Sequence, residues 1–167
     1  LLDITPEGLR IQIVDQQNRP MFDSGSYRLQ SYTIGIINEL APYLESVPNR
    51  ISITGHTDVV PFAGGDAGYT NWELSADRAN AARRALVGGG LDADRIARVV
   101  GTGSSVLFDR ENPTNPINRR ISIIVMNKAT EAAAMGNDDA STNDDAAESN
   151  AAPTSADAAT TDAAPDA

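Results

Sequence analysis

The chain has 167 residues and a formal net charge of −10, but residues 129–167 alone carry nine acidic residues and no Lys, Arg or aromatic residue. The first 128 residues are therefore near −1, with 14 acidic against 13 basic side chains, so the acidity belongs to the tail, and without net positive charge Arg83 and Arg84 read as a solvated face rather than a nucleic-acid patch. The absence of cysteine excludes disulfides, thiolate metal sites and a cysteine nucleophile, and no apolar run approaches the roughly 20 residues of a membrane-spanning helix.

Leu1-Leu2-Asp3 has none of the features of a signal peptide, and an anchoring or targeting element is expected upstream of it. Gly8-Leu9-Arg10-Ile11-Gln12-Ile13 alternates apolar and polar residues, the period of a half-buried strand. Leu29, Tyr32, Ile36, Leu40, Tyr43 and Val47 recur at steps of three and four, which predicts an amphipathic helix on that stripe, kinked at Pro42. Arg50-Ile51-Ser52-Ile53-Thr54 reads as a second strand. Thr70-Asn71-Trp72-Glu73 has the form of a capping box opening a second helix, which the Gly88-Gly89-Gly90 run ends. A short strand is expected over residues 96–100, then a loop through Pro113 and Pro116, then a last strand from Arg120-Ile121-Ser122-Ile123. The order β-α-β-α-β-β predicts an α+β fold, an α/β sandwich with helices packed on a small mixed sheet. It is expected to occupy residues 1–128, with residues 129–167 a disordered acidic Ala/Asp-rich tail that cannot bury enough surface to offset its ordering entropy.

On a helical wheel the second helix gathers Leu74, Ser75, Arg78, Ala79, Ala82, Ala85 and Leu86 on one side. Arg78 is the only charge on that stripe, and an unpaired buried guanidinium costs several kcal/mol, so it needs an anionic partner. Asp58 is the nearest candidate. It follows Gly55-His56-Thr57 at the carboxyl edge of the sheet, where ligands of open α/β sheets tend to bind. Asp58 and the start of the helix can border a pocket with an acid for a ligand ammonium, and with a guanidinium and free backbone N–H groups for a ligand carboxylate. An internal Asp58–Arg78 ion pair that only ties loop to helix explains the spacing equally well.

Other readings are blander. His56, the single histidine, has no second nitrogen or sulfur ligand in view and reads as a hydrogen-bonded structural imidazole rather than a zinc ligand. Gly101-Thr102-Gly103-Ser104-Ser105 lacks the third glycine of a dinucleotide loop and the lysine of a phosphate loop, and reads as a turn. Asp23, Asp58 and Asp77 can be imagined as a glycosidase's carboxylates, but Asp77 falls on the polar helix face. No metal site and no cofactor is expected.

Three blocks decide between the readings of Asp58 and Arg78. Gly55-His56-Thr57-Asp58, then Asn71-Trp72-Glu73-Leu74-Ser75-Ala76-Asp77-Arg78-Ala79, then Asn118-Arg119-Arg120 resemble the signature blocks of OmpA-like peptidoglycan-binding domains, over about residues 7–128. The resemblance implies that Asp58 and Arg78 hold the ammonium and carboxylate of diaminopimelate in the peptidoglycan stem peptide. It implies nearby roles for Thr57, Asn71, Leu74 and Arg119, and it sets Asp23, in Met21-Phe22-Asp23-Ser24-Gly25-Ser26, at the border of the site. Pro48-Asn49-Arg50-Ile51-Ser52 and the longer loop between Asp58 and Asn71 resemble the flagellar-stator members of the family. That similarity implies a homodimeric, non-enzymatic wall anchor in the periplasm, held in the inner membrane by one upstream helix and working with a MotA-type stator membrane subunit. An outer-membrane-to-wall anchor and a peptidoglycan-degrading enzyme stand behind it in that order.

Overall fold

The computed structural model describes residues 1–63 and 68–136. Five strands form one sheet: β1 (Leu2–Thr5), β2 (Gly8–Val14), β3 (Ile51–His56), β4 (Ile96–Gly101) and β5 (Arg120–Met126), in the order β1-β2-β5-β3-β4. Among the described residues only β3 and β4 pair in parallel, and α2 supplies the crossover that a parallel pair requires. Helices α1 (Ser31–Glu45) and α2 (Asn71–Gly88) complete the expected α+β sandwich, and a short α3 (Lys128–Ala134) follows β5. No helix of the described residues is long and apolar enough to cross a membrane.

The core lies between the central strands and the two long helices. Ile51, Ile53, Ile121 and Ile123 from β3 and β5 meet Ile37 of α1 and Leu86 of α2, all essentially without exposure. Each contributes roughly 1.5–3 kcal/mol on removal from water. Helix α2 starts where the sequence predicts: the Thr70 side chain caps it and Glu73 reaches back to the Thr70 N–H at 2.6 Å. Two neighbouring glycines let it lie against the sheet. A Cβ on Gly55 would sit 2.0 Å from the Ser75 carbonyl oxygen, and one on its strand partner Gly101 would sit 2.5 Å from the Ala76 nitrogen. Nothing larger than hydrogen fits at either position, so the first two turns of α2 are pressed onto the carboxyl ends of β3 and β4.

Three expectations need correction. The buried face of α1 is Thr33, Ile37, Ala41 and Leu44, one position on from most of the expected stripe; Ile36 and Tyr43 are 44% and 74% exposed. An edge strand, β1, precedes the first expected one and pairs with it through a hairpin at Pro6-Glu7. The boundary expected after Lys128 falls inside α3, capped by Asn127 and tied back where Glu131 pairs with Arg50 at 3.5 Å. Alanine is the best helix former, and Ala129 and Ala132 to Ala134 supply most of this helix once Asn127 caps it. The remainder of the expected tail, residues 137–167, lies outside the described residues.

Candidate ligand-binding cleft

A cleft of about 950 Å³ opens at the carboxyl end of β3, between the segment after β2, the loop after β3 and the start of α2. All seven residues expected at the site line it: Asp23, Thr57, Asp58, Asn71, Leu74, Arg78 and Arg119. Sequence reasoning did not place other lining residues there, Asp15, Phe22 and Gln30 among them.

Arg78 is 7% exposed although it carries a full charge. Its Nε donates to the Ser26 carbonyl at 2.9 Å and its guanidinium stacks over the Phe22 ring at 4.6 Å. Among the described residues no carboxylate comes within ion-pair distance of it, and its two terminal nitrogens make no hydrogen bond. Burial pushes its pKa down to about 10, opposed by the charges of Asp15 and Asp58. Two forked N–H donors thus face the cleft uncommitted. The internal Asp58–Arg78 pair, left open by the sequence, is not formed.

Asp58 is paired elsewhere. It is 5% exposed; its Oδ2 accepts from Nη1 of Arg119 at 2.8 Å, and its Oδ1 accepts the Val60 N–H at 3.0 Å. The other side of Arg119 is held by Asp15, whose Oδ2 accepts from Nε at 2.7 Å. Burial works against the charge on Arg119, but the hydrogen bonds and charges of the two flanking carboxylates outweigh it and raise its pKa. Asp15, Asp58, Arg78 and Arg119 together form a buried floor of zero net charge, with acid and base side by side.

The remaining residues shape the walls. Asn71 donates to the Val60 carbonyl at 2.9 Å and so fixes the loop after β3 to the start of α2. Thr57 is buried with its hydroxyl on the Asp58 carbonyl, and Leu74 is a buried apolar wall. Asp23 accepts from Gln30 at 2.6 Å at the rim. The first turn of α2 offers fewer free N–H donors than expected, because its own capping box engages donors there. Asp77 does not line the cleft: it accepts the Tyr69 hydroxyl at 2.7 Å.

The Asn118-Arg119-Arg120 block separates into three jobs. Asn118, fully buried, accepts the N–H groups of Phe108 and Asp109 at 2.8 Å and donates to three carbonyls, which knots the loop before β5. Arg119 enters the cleft. Arg120 turns to the other face of the sheet, bonded to Gln12 at 2.9 Å and depressed to about 10 by burial. On that face His56 lies between Thr102 and Ser122, at 2.8 and 3.2 Å from its two ring nitrogens. Burial, with Arg120 and Arg10 nearby, lowers its pKa to about 3, so it is a neutral structural imidazole.

A buried acid and a half-engaged buried base thus lie side by side where α2 is pressed onto the sheet edge, on an α+β fold of OmpA type. Residues 21–120 match the model of the OmpA family, and the chain belongs to that family. It is similar to Motility protein B of Escherichia coli (strain K12), 50% identical over 143 residues, which are 86% of this chain and 46% of the relative. The chain thus spans about half the length of that curated relative. Among solved structures, the periplasmic domain of Helicobacter pylori MotB aligns with a TM-score of 0.65 at 19% identity, over 82% of this chain and 94% of that one. The cell wall anchor of the T6SS from Pseudomonas aeruginosa aligns at 0.61 and 24% identity, over 75% and 86% respectively. At those identities the structures share the fold.

Proposed function

We propose that the domain binds peptidoglycan non-covalently, without cleaving it, by holding the free ammonium and carboxylate of diaminopimelate in the stem peptide. The observation that carries this reading is the Arg78 guanidinium, buried in the cleft beside Asp58 with its two terminal nitrogens unengaged among the described residues. A planar fork of two N–H donors matches a carboxylate, and a burial cost is repaid when that carboxylate arrives. Asp58 receives the ammonium on lone pairs left by Arg119 and Val60. Leu74 packs against the aliphatic chain that carries the zwitterionic carbon, while Thr57, Asn71 and Asp23 shape the walls and rim.

In the full-length protein the domain serves to fasten a flagellar stator to the wall. The 50% identity to Motility protein B supports this reading over an outer-membrane anchor. The same reading makes the domain periplasmic and dimeric, with an upstream helix in the inner membrane and a MotA-type subunit as partner. Linked domains in a dimer raise the effective affinity of a modest pocket without any new contact.

Co-sedimentation with purified sacculi tests the binding. The domain is expected to pellet with sacculi and release no soluble fragments, and Asp58→Ala and Arg78→Ala are expected to stay in solution while remaining folded. Pelleting of both variants at the wild-type level would remove the site. Arg78→Ala in the full-length protein is expected to impair swimming while flagella still assemble; normal swimming at normal protein level would remove the stator role and leave wall binding untouched.

A further inference from the structure

We infer that Asp15 is a positioning residue for the ammonium half of the site, acting through Arg119; the inference rests on the zwitterion reading above. Asp15 follows β2 and is 6% exposed. It grips the segment before β5 twice: its N–H donates to the Arg119 carbonyl at 2.9 Å, and its Oδ2 accepts from Arg119 Nε at 2.7 Å. Its other oxygen accepts the Met21 N–H at 2.6 Å, so the carboxylate itself is fixed. Arg119 is the more exposed member, its side chain 29% accessible against 7% for either carboxylate.

The consequence concerns Asp58. An arginine with one carboxylate partner settles on it bidentately, two parallel N–H···O bonds across both oxygens. Here Asp15 holds Nε, and only Nη1 reaches Asp58, on one oxygen. Asp15 therefore keeps Arg119 from closing over Asp58 and leaves room for a second cation. Loss of Asp15 is thus expected to weaken one half of the ligand selectively. A residue that merely stabilised the fold would not distinguish the halves.

The test uses two soluble probes, a stem tripeptide ending in diaminopimelate and the same tripeptide with aminopimelate, which lacks only the terminal ammonium. Titration calorimetry of Asp15→Asn is expected to show a loss of roughly tenfold or more for the diaminopimelate probe, the scale of one charged hydrogen bond, and no loss for the aminopimelate probe. The double variant Asp15→Asn with Arg119→Gln removes two opposite charges and tests the route should the single variant fail to fold. It is expected to bind both probes within twofold of Arg119→Gln alone. Equal losses on the two probes, unchanged binding, or an Asp15→Asn effect that persists without Arg119 would overturn the inference. Failure of the wild-type domain to bind the diaminopimelate probe would instead overturn the zwitterion reading itself.

Discussion

Replacing Arg78 by methionine separates binding from folding. The substitution keeps most of the side-chain volume and removes the charge. Burial lowers the guanidinium pKa to about 10, so the charged form bears roughly 3 kcal/mol of desolvation in the folded state. Against that stand one hydrogen bond to the Ser26 carbonyl and the stack on Phe22, together about 2–3 kcal/mol. The two sums nearly cancel, and a thioether on the Phe22 ring recovers part of the lost contact. Arg78→Met is therefore expected to unfold at pH 7 within about 1 kcal/mol of the wild type, or later; its thermal midpoint should shift by no more than about 4 °C. Its affinity for sacculi should fall at least tenfold, because a ligand carboxylate would lose its charged donors. The folded-state pKa lies below the unfolded one, so the desolvation burden is relieved as pH rises through about 10, and the wild type should gain on the variant in alkali. Urea unfolding and sacculus co-sedimentation, run on the same preparations, supply both readings. A loss of more than about 2 kcal/mol would identify Arg78 as a structural tie, and retained binding would remove it as a carboxylate receptor.

Further outcomes follow from groups near the cleft. His56 has a folded-state pKa of about 3 against an ordinary 6.5; its contribution is complete above pH 6.5 and up to roughly 4–5 kcal/mol is lost as pH falls toward 3. His56→Asn should flatten the acid limb of a urea-midpoint profile, and an unchanged slope would place the titration elsewhere. Gly55→Ala would put a Cβ 2.0 Å from the Ser75 carbonyl and should cost about 3 kcal/mol or more in urea unfolding; a cost below about 1 kcal/mol would show that α2 lifts freely. A chain ending at Gly136 should bind sacculi as well as the full chain, since among the described residues every one that lines the cleft precedes residue 120; lost binding on truncation would assign the acidic tail a part in recognition.

Local chemistry was legible where it was self-contained. The capping box of α2, the triple glycine that ends it and the placement of Arg78 on its buried face all follow from short-range spacing, and all three stand in the structure. The stripe of α1 did not follow, because its apolar residues come in adjacent pairs: Ile36 beside Ile37, Leu40 beside Ala41, Tyr43 beside Leu44. Two faces about 100° apart satisfy that pattern, and the choice is made by tertiary packing, where Gly89 at the end of α2 passes directly over Asn38 and Ala41. Strand β1 had a signal that went unread, since Leu2-Asp3-Ile4-Thr5 alternates and Pro6-Glu7-Gly8 is turn chemistry. Helix α3 was hidden by composition: a run of alanines lacks a core face and reads as tail until the Arg50 partner of Glu131 is known. At the site, Asp58 and Arg78 were placed by strand edge and helix face. Asp15 carried no local mark at all, because its role is defined by a guanidinium 104 positions away.

The floor of the cleft is drawn from residues 15, 58, 78 and 119, one from each of four separate stretches of chain. All four come together only when β2 and β3 have both paired with β5 and α2 has settled onto Gly55 and Gly101. A fragment that lacks any one of these stretches cannot assemble the whole floor. Under the proposed binding, a ligand that needs the whole floor is linked to the folding equilibrium of the whole domain: at a free ligand concentration of 100 times Kd, global unfolding would become harder by about 2.7 kcal/mol. A domain that engages its ligand in this way becomes hardest to unravel while it is holding on.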